Sequence, residues 1–363
     1  MSPSPEADDK RRGRGIEEVG DLPISPEHLT PRRGAVAWVF RSSDGRLRAG
    51  WRVAFLLVAF FLVYVVAAGL TTAALMWRFG LLDVRPAELQ GALFRRLPYW
   101  PLLANVAAVP GVCVLVWCFR RFLDRRDWRG LGFALGPRLW REVGLGLVLG
   151  ALVILLTLVP LAATGCVTKA AWGGGGVSEG QWFQDLGLVL AILVAAAFLE
   201  ELVIRAYVLT NLREGTGPVA AVLISSAIFA GLHLKNPHAD MVGVTNILLA
   251  GVLMGTVFVL TGRIWSAWAL HVAWNATLGM VLGLPVSGLR LPSMLRLELG
   301  GSDLATGGQF GPEASPWNTV ALGCILVAVL ALRTRLFSGR NSTTLEERIR
   351  DRDEDRLPRP LQR

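Results

Sequence analysis

Two adjacent glutamates and an arginine lie within a stretch that is otherwise apolar enough to cross a membrane. They are Glu200, Glu201 and Arg205, and the stretch from 186 to 212 carries fifteen Leu, Ile, Val and Phe residues. A charged side chain near mid-span costs about 3 kcal/mol on an insertion scale. Ionisable groups held in a membrane at that cost usually face a partner or a wet cavity, so their placement indicates a functional site.

Two histidines lie in comparable apolar surroundings. His233 ends one such stretch, and His271 lies inside a later one, four residues before Asn275. A carboxylate with a nearby imidazole activates water, and donors on one helical face stabilise an oxyanion. These residue types can therefore carry out a hydrolysis, with Glu200 and His233 activating water and His271 and Asn275 stabilising the oxyanion.

Helical spacing separates the two glutamates by role. Glu201 and Arg205 are four residues apart and pair on one helical face, whereas Glu200 points about 100° away from Glu201. We therefore predict that Glu201 and Arg205 give structural support and that Glu200 is free to act as the base. At 1.5 Å per residue, Glu200 lies roughly 20 Å and His233 roughly 24 Å from the turn at 213–217 between their helices. The two side chains are thus expected at similar depth.

These stretches resemble the signature motifs of the CAAX prenyl endopeptidase and bacteriocin-processing family of intramembrane proteases. The three motifs are Glu-Glu-x-x-x-Arg at Glu200 to Arg205, Phe-x-x-x-His at Phe229 to His233, and His-x-x-x-Asn at His271 to Asn275. The resemblance covers roughly residues 185 to 285. It implies an intramembrane endopeptidase, with catalytic groups in a cavity that opens toward the cytoplasm and with Phe229 among the supporting residues.

A metal-dependent mechanism stays open at this point. Glu200, His233 and His271 form a two-histidine, one-carboxylate set, which catalytic zinc uses with water in the fourth position. The sequence lacks the His-Glu-x-x-His helix that is the commoner mark of a zinc hydrolase. We favour a metal-free mechanism with no cofactor, and keep zinc as the alternative.

Two other classes of function fit the same residues. A catalytically silent binding or immunity protein would keep this fold without cleaving anything, because fold does not determine function. A proton-coupled transporter would also bury Glu, His and Arg, but usually with repeats in both halves. Here the ionisable residues cluster in one half, which favours the endopeptidase.

The elements that position these residues are predicted to be membrane helices. The chain is 53% hydrophobic, and a span needs about 20 apolar residues. We predict an all-α polytopic membrane protein, in which about eight transmembrane helices form a bundle around an intramembrane polar cavity. The spans are Trp51 to Met76, Trp100 to Phe119, Val143 to Ala163, Leu186 to Leu212, Pro218 to Leu234, Met241 to Leu260, Ile264 to Leu284 and Trp317 to Leu332.

The distribution of Lys and Arg predicts the orientation. The N-terminal arm, the loop at 120–129 and the C-terminal tail are basic, which places both termini in the cytoplasm. The arginines of the loop at 78–96 oppose this orientation. The net charge of +9 then reflects topology and contact with lipid headgroups, not nucleic acid. We expect an integral multi-pass protein of a bacterial plasma membrane, whose partners are lipid and a peptide or protein substrate.

The chain divides, in this interpretation, into six segments. They are a disordered basic cytoplasmic arm (1–48), N-terminal transmembrane helices (49–165), a catalytic core (180–285), an external loop (286–316), a last transmembrane helix (317–333) and a charged cytoplasmic tail (334–363).

Overall fold

The computed structural model describes residues 40, 42, 45–97 and 99–337, and these are mostly helical. The prediction of an all-α polytopic bundle is confirmed. Five helical stretches in this part of the chain are long and apolar enough to cross a membrane. They are Ala49–Phe79, Trp100–Leu123, Leu139–Ala163, Glu179–Leu232 and Met241–Thr261. Most of the predicted arm, and the tail from residue 338, lie outside the described residues.

The predicted count of eight spans is not confirmed. The predicted fourth and fifth spans form a single 54-residue stretch, Glu179–Leu232, with a break at Gly217, whose φ of 77° and ψ of 172° are not helical. The predicted seventh and eighth spans are shorter than a full span, because the helix from Trp265 ends at Val281 and the last apolar helix covers only Pro316–Ala331. The division into segments stays a prediction.

We number the elements in chain order. The helices are α1 (Ala49–Phe79), α2 (Pro86–Arg96), α3 (Leu103–Cys118), α4 (Leu139–Ala163), α5 (Glu179–Glu201), α6 (Thr210–Leu232), α7 (Met241–Thr261), α8 (Trp265–Asn275), α9 (Asp303–Thr306), α10 (Pro316–Ala331) and α11 (Arg333–Phe337). Three π-helical turns follow α3, α5 and α8, at Phe119–Leu123, Leu202–Leu209 and Ala276–Val281. Short 3₁₀ turns lie at Trp100–Leu102, Trp128–Leu131 and Pro312–Ala314.

Two short strands were not predicted. β1 (Val167–Trp172) pairs with β2 (Leu295–Leu299) in an antiparallel ladder that sets Ala170 opposite Leu297. The segment predicted as an external loop, 286–316, therefore contains a strand, a short helix and a 3₁₀ turn. Hydrogen bonds from β2 and its flank to the end of the π turn that follows α8 hold it in place, with the Leu297 amide donating to the Leu282 carbonyl just after that turn.

The helices run between two ends of the bundle. At one end, Arg52 pairs with Glu214, Arg263 with Glu142, and Arg141 donates to the carbonyl of Leu336. Fourteen Lys or Arg residues lie at this end, which we call the basic end. They are Arg46, Arg48, Arg52, Arg120, Arg121, Arg125, Arg126, Arg129, Arg138, Arg141, Arg213, Arg263, Arg333 and Arg335.

The opposite end, which we call the loop end, brings together the longer connections. Tyr99 donates to Asp185, and the Trp182 indole donates to the carbonyl of Ser293. Eight Lys or Arg residues of the described chain lie here, namely Arg78, Arg85, Arg95, Arg96, Lys169, Lys235, Arg290 and Arg296. The two ends therefore differ strongly in positive charge.

Close packing of α4 on α8 positions the helix that carries His271. A Cβ added at Gly146 would lie 2.3 Å from the Ser266 carbonyl oxygen, and one added at Gly150 would lie 2.2 Å from that of Leu270. Small residues allow helix backbones to approach in this way in membranes. Glycines spaced four apart on α4 therefore set the distance at which α8 lies.

A buried polar cluster links helices near the basic end. Asp124 is fully buried, and its carboxylate accepts hydrogen bonds from Arg52 (2.8 Å), Arg120 (3.1 Å), Tyr207 (3.1 Å) and Asn211 (3.2 Å). These donors come from α1, from the turn after α3, from the π turn after α5, and from α6. A buried carboxylate with four donors is satisfied, so the cluster ties these elements together.

Candidate active site

The four side chains predicted to be catalytic line one cavity of about 330 Å³. Glu200 lies at the end of α5, His233 directly follows α6, and His271 and Asn275 lie on α8. The structure thus brings all four residues together from three parts of the chain.

Both imidazoles face the same carboxylate oxygen. The Nε2 atom of His233 lies 3.9 Å from Oε2 of Glu200, and that of His271 lies 3.8 Å from it. Oε2 is buried and has no hydrogen-bond partner among the described residues. These separations are too long for direct hydrogen bonds, and they match a site in which one small molecule contacts all three atoms.

The second nitrogen of each imidazole is fixed by the protein. Nδ1 of His233 lies 2.8 Å from the carbonyl oxygen of Phe229, and Nδ1 of His271 lies 3.0 Å from Oε1 of Glu201. A carbonyl or carboxylate oxygen only accepts, so each Nδ1 carries the proton and donates. In both rings Nε2 is the nitrogen that faces Glu200; it accepts when the imidazole is neutral and donates when the imidazole is doubly protonated.

Glu201 and Arg205 form the ion pair that their spacing predicts. Arg205 Nη1 donates to Glu201 Oε1 over 2.8 Å, and both side chains are fully buried. The guanidinium also lies 4.4 Å from the centre of the Phe229 ring and donates to the Gly251 carbonyl at 3.5 Å. Phe229 thus contacts two site residues, through its ring to Arg205 and through its carbonyl to His233.

A π-helical turn directly follows the two glutamates. It covers Leu202–Leu209, and every residue in it is buried. Such turns arise where an α-helix takes up an extra residue, and they are frequent at functional sites. The sequence predicted an uninterrupted α-helix here, because no glycine or proline marks the turn. Within this one turn lie Arg205, which pairs with Glu201, and Tyr207, which donates to Asp124.

Glu313 is a cavity residue that the sequence did not indicate. It lies in the 3₁₀ turn Pro312–Ala314 and is 5% exposed. Its Oε1 accepts from the Trp274 indole at 2.7 Å, and its Oε2 accepts from the backbone amide of Ser287 and from the Ser287 hydroxyl at 3.0 Å. Burial raises the pKa of the Glu313 carboxyl above its ordinary value, and these hydrogen bonds act in the opposite direction.

The absence of a metal from the mechanism stays a prediction, and so does the zinc alternative. Among the residues that the structure describes, no group of three or more His, Cys, Asp and Glu side chains is arranged to hold a metal ion. Both histidine Nε2 atoms nevertheless lie 3.8 to 3.9 Å from Oε2 of Glu200. If zinc bound here, Glu200, His233 and His271 would hold it and it would activate a bound water.

The cavity extends from the centre of the bundle toward the loop end. Beyond the helix interiors, its lining includes Leu102, Asn236, Ser287, Leu289 and Glu313, all at that end. Within the described part of the chain, no segment of the basic end contributes to the lining.

Comparison with known proteins gives one match. Residues 182–277 match the family model described as "Type II CAAX prenyl endopeptidase Rce1-like". The matched range contains Glu200, His233, His271 and Asn275, which confirms the resemblance to this protease family. It does not reach Glu313. No curated protein matches the chain.

Proposed function

We propose that this protein is an intramembrane endopeptidase in which Glu200 and His233 activate a water molecule without a metal. The observation that carries the proposal is the convergence of two imidazole Nε2 atoms on Oε2 of Glu200, at 3.9 and 3.8 Å. The match of residues 182–277 to a prenyl endopeptidase family supports the reaction class.

The reaction begins with a water hydrogen-bonded to Glu200 and His233. The carboxylate takes one proton from the water as its oxygen attacks the peptide carbonyl. The new C–O bond converts the carbonyl to a tetrahedral oxyanion. When the C–N bond breaks, the proton held by Glu200, relayed through His233, passes to the leaving amine. The products are a new amine and a new carboxylic acid, which then gives its remaining proton to solvent or to the amine, and both side chains regain their starting protonation.

His271 and Asn275 stabilise the oxyanion in this scheme. The carboxylate of Glu201 accepts from Nδ1 of His271, which stabilises the doubly protonated imidazole. In that form Nε2 also carries a proton and donates to the oxyanion, together with the Asn275 side-chain amide. Glu201 thereby has a second role beside the pairing with Arg205: it orients His271 and stabilises the positively charged form of its imidazole.

The first test is the activity of Glu200→Gln. The amide keeps the shape of the side chain but accepts no proton, so cleavage should fall by about a hundredfold or more. The assay uses purified protein in detergent with a library of internally quenched fluorescent peptides. Glu298→Gln is the matched control, because Glu298 is exposed and its carboxylate pairs with Lys169, away from the cavity. Equal cleavage by Glu200→Gln and wild type, or no cleavage by wild type of any peptide, would contradict the proposal.

The same assay separates the proposed function from its alternatives. A binding or immunity protein of this fold would bind peptides without cleaving them. A proton-coupled transporter would move a solute in proteoliposomes under a pH gradient, and Glu200→Gln would abolish that movement with no peptide cleaved by wild type.

A further inference from the structure

A short extended segment borders the cavity around Glu200. It covers Leu289 to Leu291, and we call it the rim segment. The side chains of Leu289 and Leu291 line the cavity, whereas Arg290 between them is exposed and is not part of the lining. This alternation is that of a β-strand, in which successive side chains point to opposite faces.

The residues on both sides of the rim segment keep it extended. Before it, Ser287 (φ 47°) and Gly288 (φ 85°) form a tight turn of the kind that joins antiparallel strands. Across this turn, Val286 and Leu289 exchange two backbone hydrogen bonds of 2.9 Å. After the segment, Pro292 restricts the residue before it to extended backbone conformations. The extended conformation therefore follows from the sequence and does not depend on a ligand.

Contacts with the rest of the protein fix the rim segment at both ends. In the turn before it, the amide and the hydroxyl of Ser287 donate to the carboxylate of Glu313. On its other side, the Trp182 indole donates to the carbonyl of Ser293 at 3.1 Å. The backbone between these two anchors thus presents its hydrogen-bonding groups in fixed positions.

The backbone of the rim segment has hydrogen-bonding groups without a protein partner. Within the described part of the chain, neither the N–H nor the C=O of Arg290 or Leu291 is paired. Leu291 is only 9% exposed, and backbone groups at such positions are nearly always paired. In an extended chain, the N–H and C=O of one residue point to one side, and those of the next residue point to the other. Because Leu289 directs its pair toward Val286, the pair of Arg290 points to the open edge.

We infer that a peptide substrate binds to the rim segment as an added antiparallel β-strand, with one substrate residue exchanging two backbone hydrogen bonds with Arg290. Antiparallel pairing suits this edge, since both bonds then join the same two residues. Strand addition gives affinity through the main chain and leaves side-chain preference to pockets. The rim segment and Glu200 line the same cavity, so this pairing would fix the register of the peptide relative to the base. The inference rests on the proposed endopeptidase function for its substrate.

Arg290→Pro tests the pairing from the side of the protein. The substitution removes the N–H group at the open edge, which donates to no protein acceptor. Leu289, which would then precede a proline, is already paired as in a strand, so the backbone tolerates the change. Arg290→Ala is the matched control, because it removes the side chain and keeps the N–H group.

Binding is measured by fluorescence anisotropy in the Glu200→Gln background, where peptides are not consumed. The probe is the member of the quenched peptide library that this variant binds most tightly. Arg290→Pro should weaken its binding about fivefold or more relative to Arg290→Ala, as expected for loss of one backbone hydrogen bond. Equal affinity of the two variants, or no binding of any library peptide, would overturn the inference.

A second experiment tests the pairing from the side of the peptide and needs no change in the rim segment. Single backbone amides of the probe are N-methylated in turn. One methylation should weaken binding about fivefold or more, while methylation of the two neighbouring amides changes it less than about twofold. The effect at the sensitive amide should be smaller with Arg290→Pro than with Arg290→Ala, because both bonds belong to one pair. Equal effects at all positions, no effect at any, or full additivity with Arg290→Pro would overturn the inference.

These measurements separate the inference from the proposed function. If Arg290→Pro lowers the unfolding temperature, the methylated peptides decide the question on protein with Arg290 intact. If the predicted binding pattern is found but wild-type protein does not cleave the probe, the strand addition stands and the proposed function fails. If wild-type protein cleaves the probe and the pattern is absent, the endopeptidase stands and the strand addition is wrong.

Discussion

The Nδ1 atom of His271 lies 3.0 Å from Oε1 of Glu201, the same oxygen that accepts a hydrogen bond from Arg205. This one carboxylate oxygen thus accepts hydrogen bonds both from Arg205, its structural partner, and from the site residue His271. The adjacent Glu200 faces the Nε2 atoms of both histidines. Two neighbouring glutamates therefore have separate tasks, since Glu201 orients His271 and Glu200 faces the place where water would react.

Glu201→Gln should lower both stability and activity. The substitution leaves Arg205 as a buried cation without its carboxylate, and loss of one partner of a buried pair costs about 3–5 kcal/mol. It also removes the anion that stabilises doubly protonated His271. Thermal unfolding in detergent measures the first effect, and peptide cleavage measures the second. Glu88→Gln is the control, because the Arg85–Glu88 pair is exposed and such pairs contribute at most about 1 kcal/mol. An unchanged unfolding temperature for Glu201→Gln would show that the pair is not structural.

The glutamate and arginine contact was predictable because it is local. Residues four apart on a helix meet regardless of what surrounds them, so Glu201 and Arg205 needed no tertiary information. The similar depth of Glu200 and His233 likewise followed from counting residues from one turn. The hydrogen bond between His271 and Glu201 could not be predicted in this way, because it depends on how α8 is placed by its close contact with α4. Nothing in the local sequence around Glu201 specifies that placement.

The contribution of the segment 286–316 was missed for a related reason. A single glutamate between Pro312 and Ala314 has no periodicity or motif, so the sequence indicated only a loop. Glu313 reaches the site because Asn246, on α7, donates to its backbone carbonyl at 2.8 Å. The strands β1 and β2 were missed because each is short and they pair across more than 120 residues of chain. Contacts of such long range leave no signal in one sequence.

Gly150→Ala should displace α8 and reduce cleavage. The added methyl group would lie 2.2 Å from the Leu270 carbonyl oxygen, next to His271, and this contact is with backbone that cannot rotate away. Overpacking of this kind costs about 1–3 kcal/mol. Gly144→Ala on the same helix is the matched control, since its Cβ would meet nothing within 4 Å. Equal activity and unfolding temperature in the two variants would mean that the close approach of α4 and α8 does not position the site.

Zinc content and chelation test the metal-free mechanism. If Glu200 and His233 activate water by themselves, active protein should contain far less than one equivalent of zinc and should keep its activity after prolonged dialysis against a chelator. Metal analysis and peptide cleavage on the same sample provide the two readouts. A stoichiometric metal whose removal abolishes activity, and whose return restores it, would establish Glu200, His233 and His271 as ligands instead.

Glu313→Gln should reduce catalysis more than it reduces substrate binding. Both carboxylate oxygens of Glu313 accept from N–H donors, the Trp274 indole and the Ser287 amide. A glutamine has only one acceptor oxygen, and its NH₂ group would face a donor. Trp274 directly precedes Asn275 on α8. When the Trp274 side chain is held less firmly, the oxyanion donor Asn275 should be misplaced, which lowers kcat while KM changes little. Steady-state kinetics measure the two constants separately, and Glu298→Gln, at the same end of the bundle, is the control. If kcat and KM are both unaltered, Glu313 only closes the cavity wall. If KM rises while kcat is unaltered, Glu313 binds substrate instead.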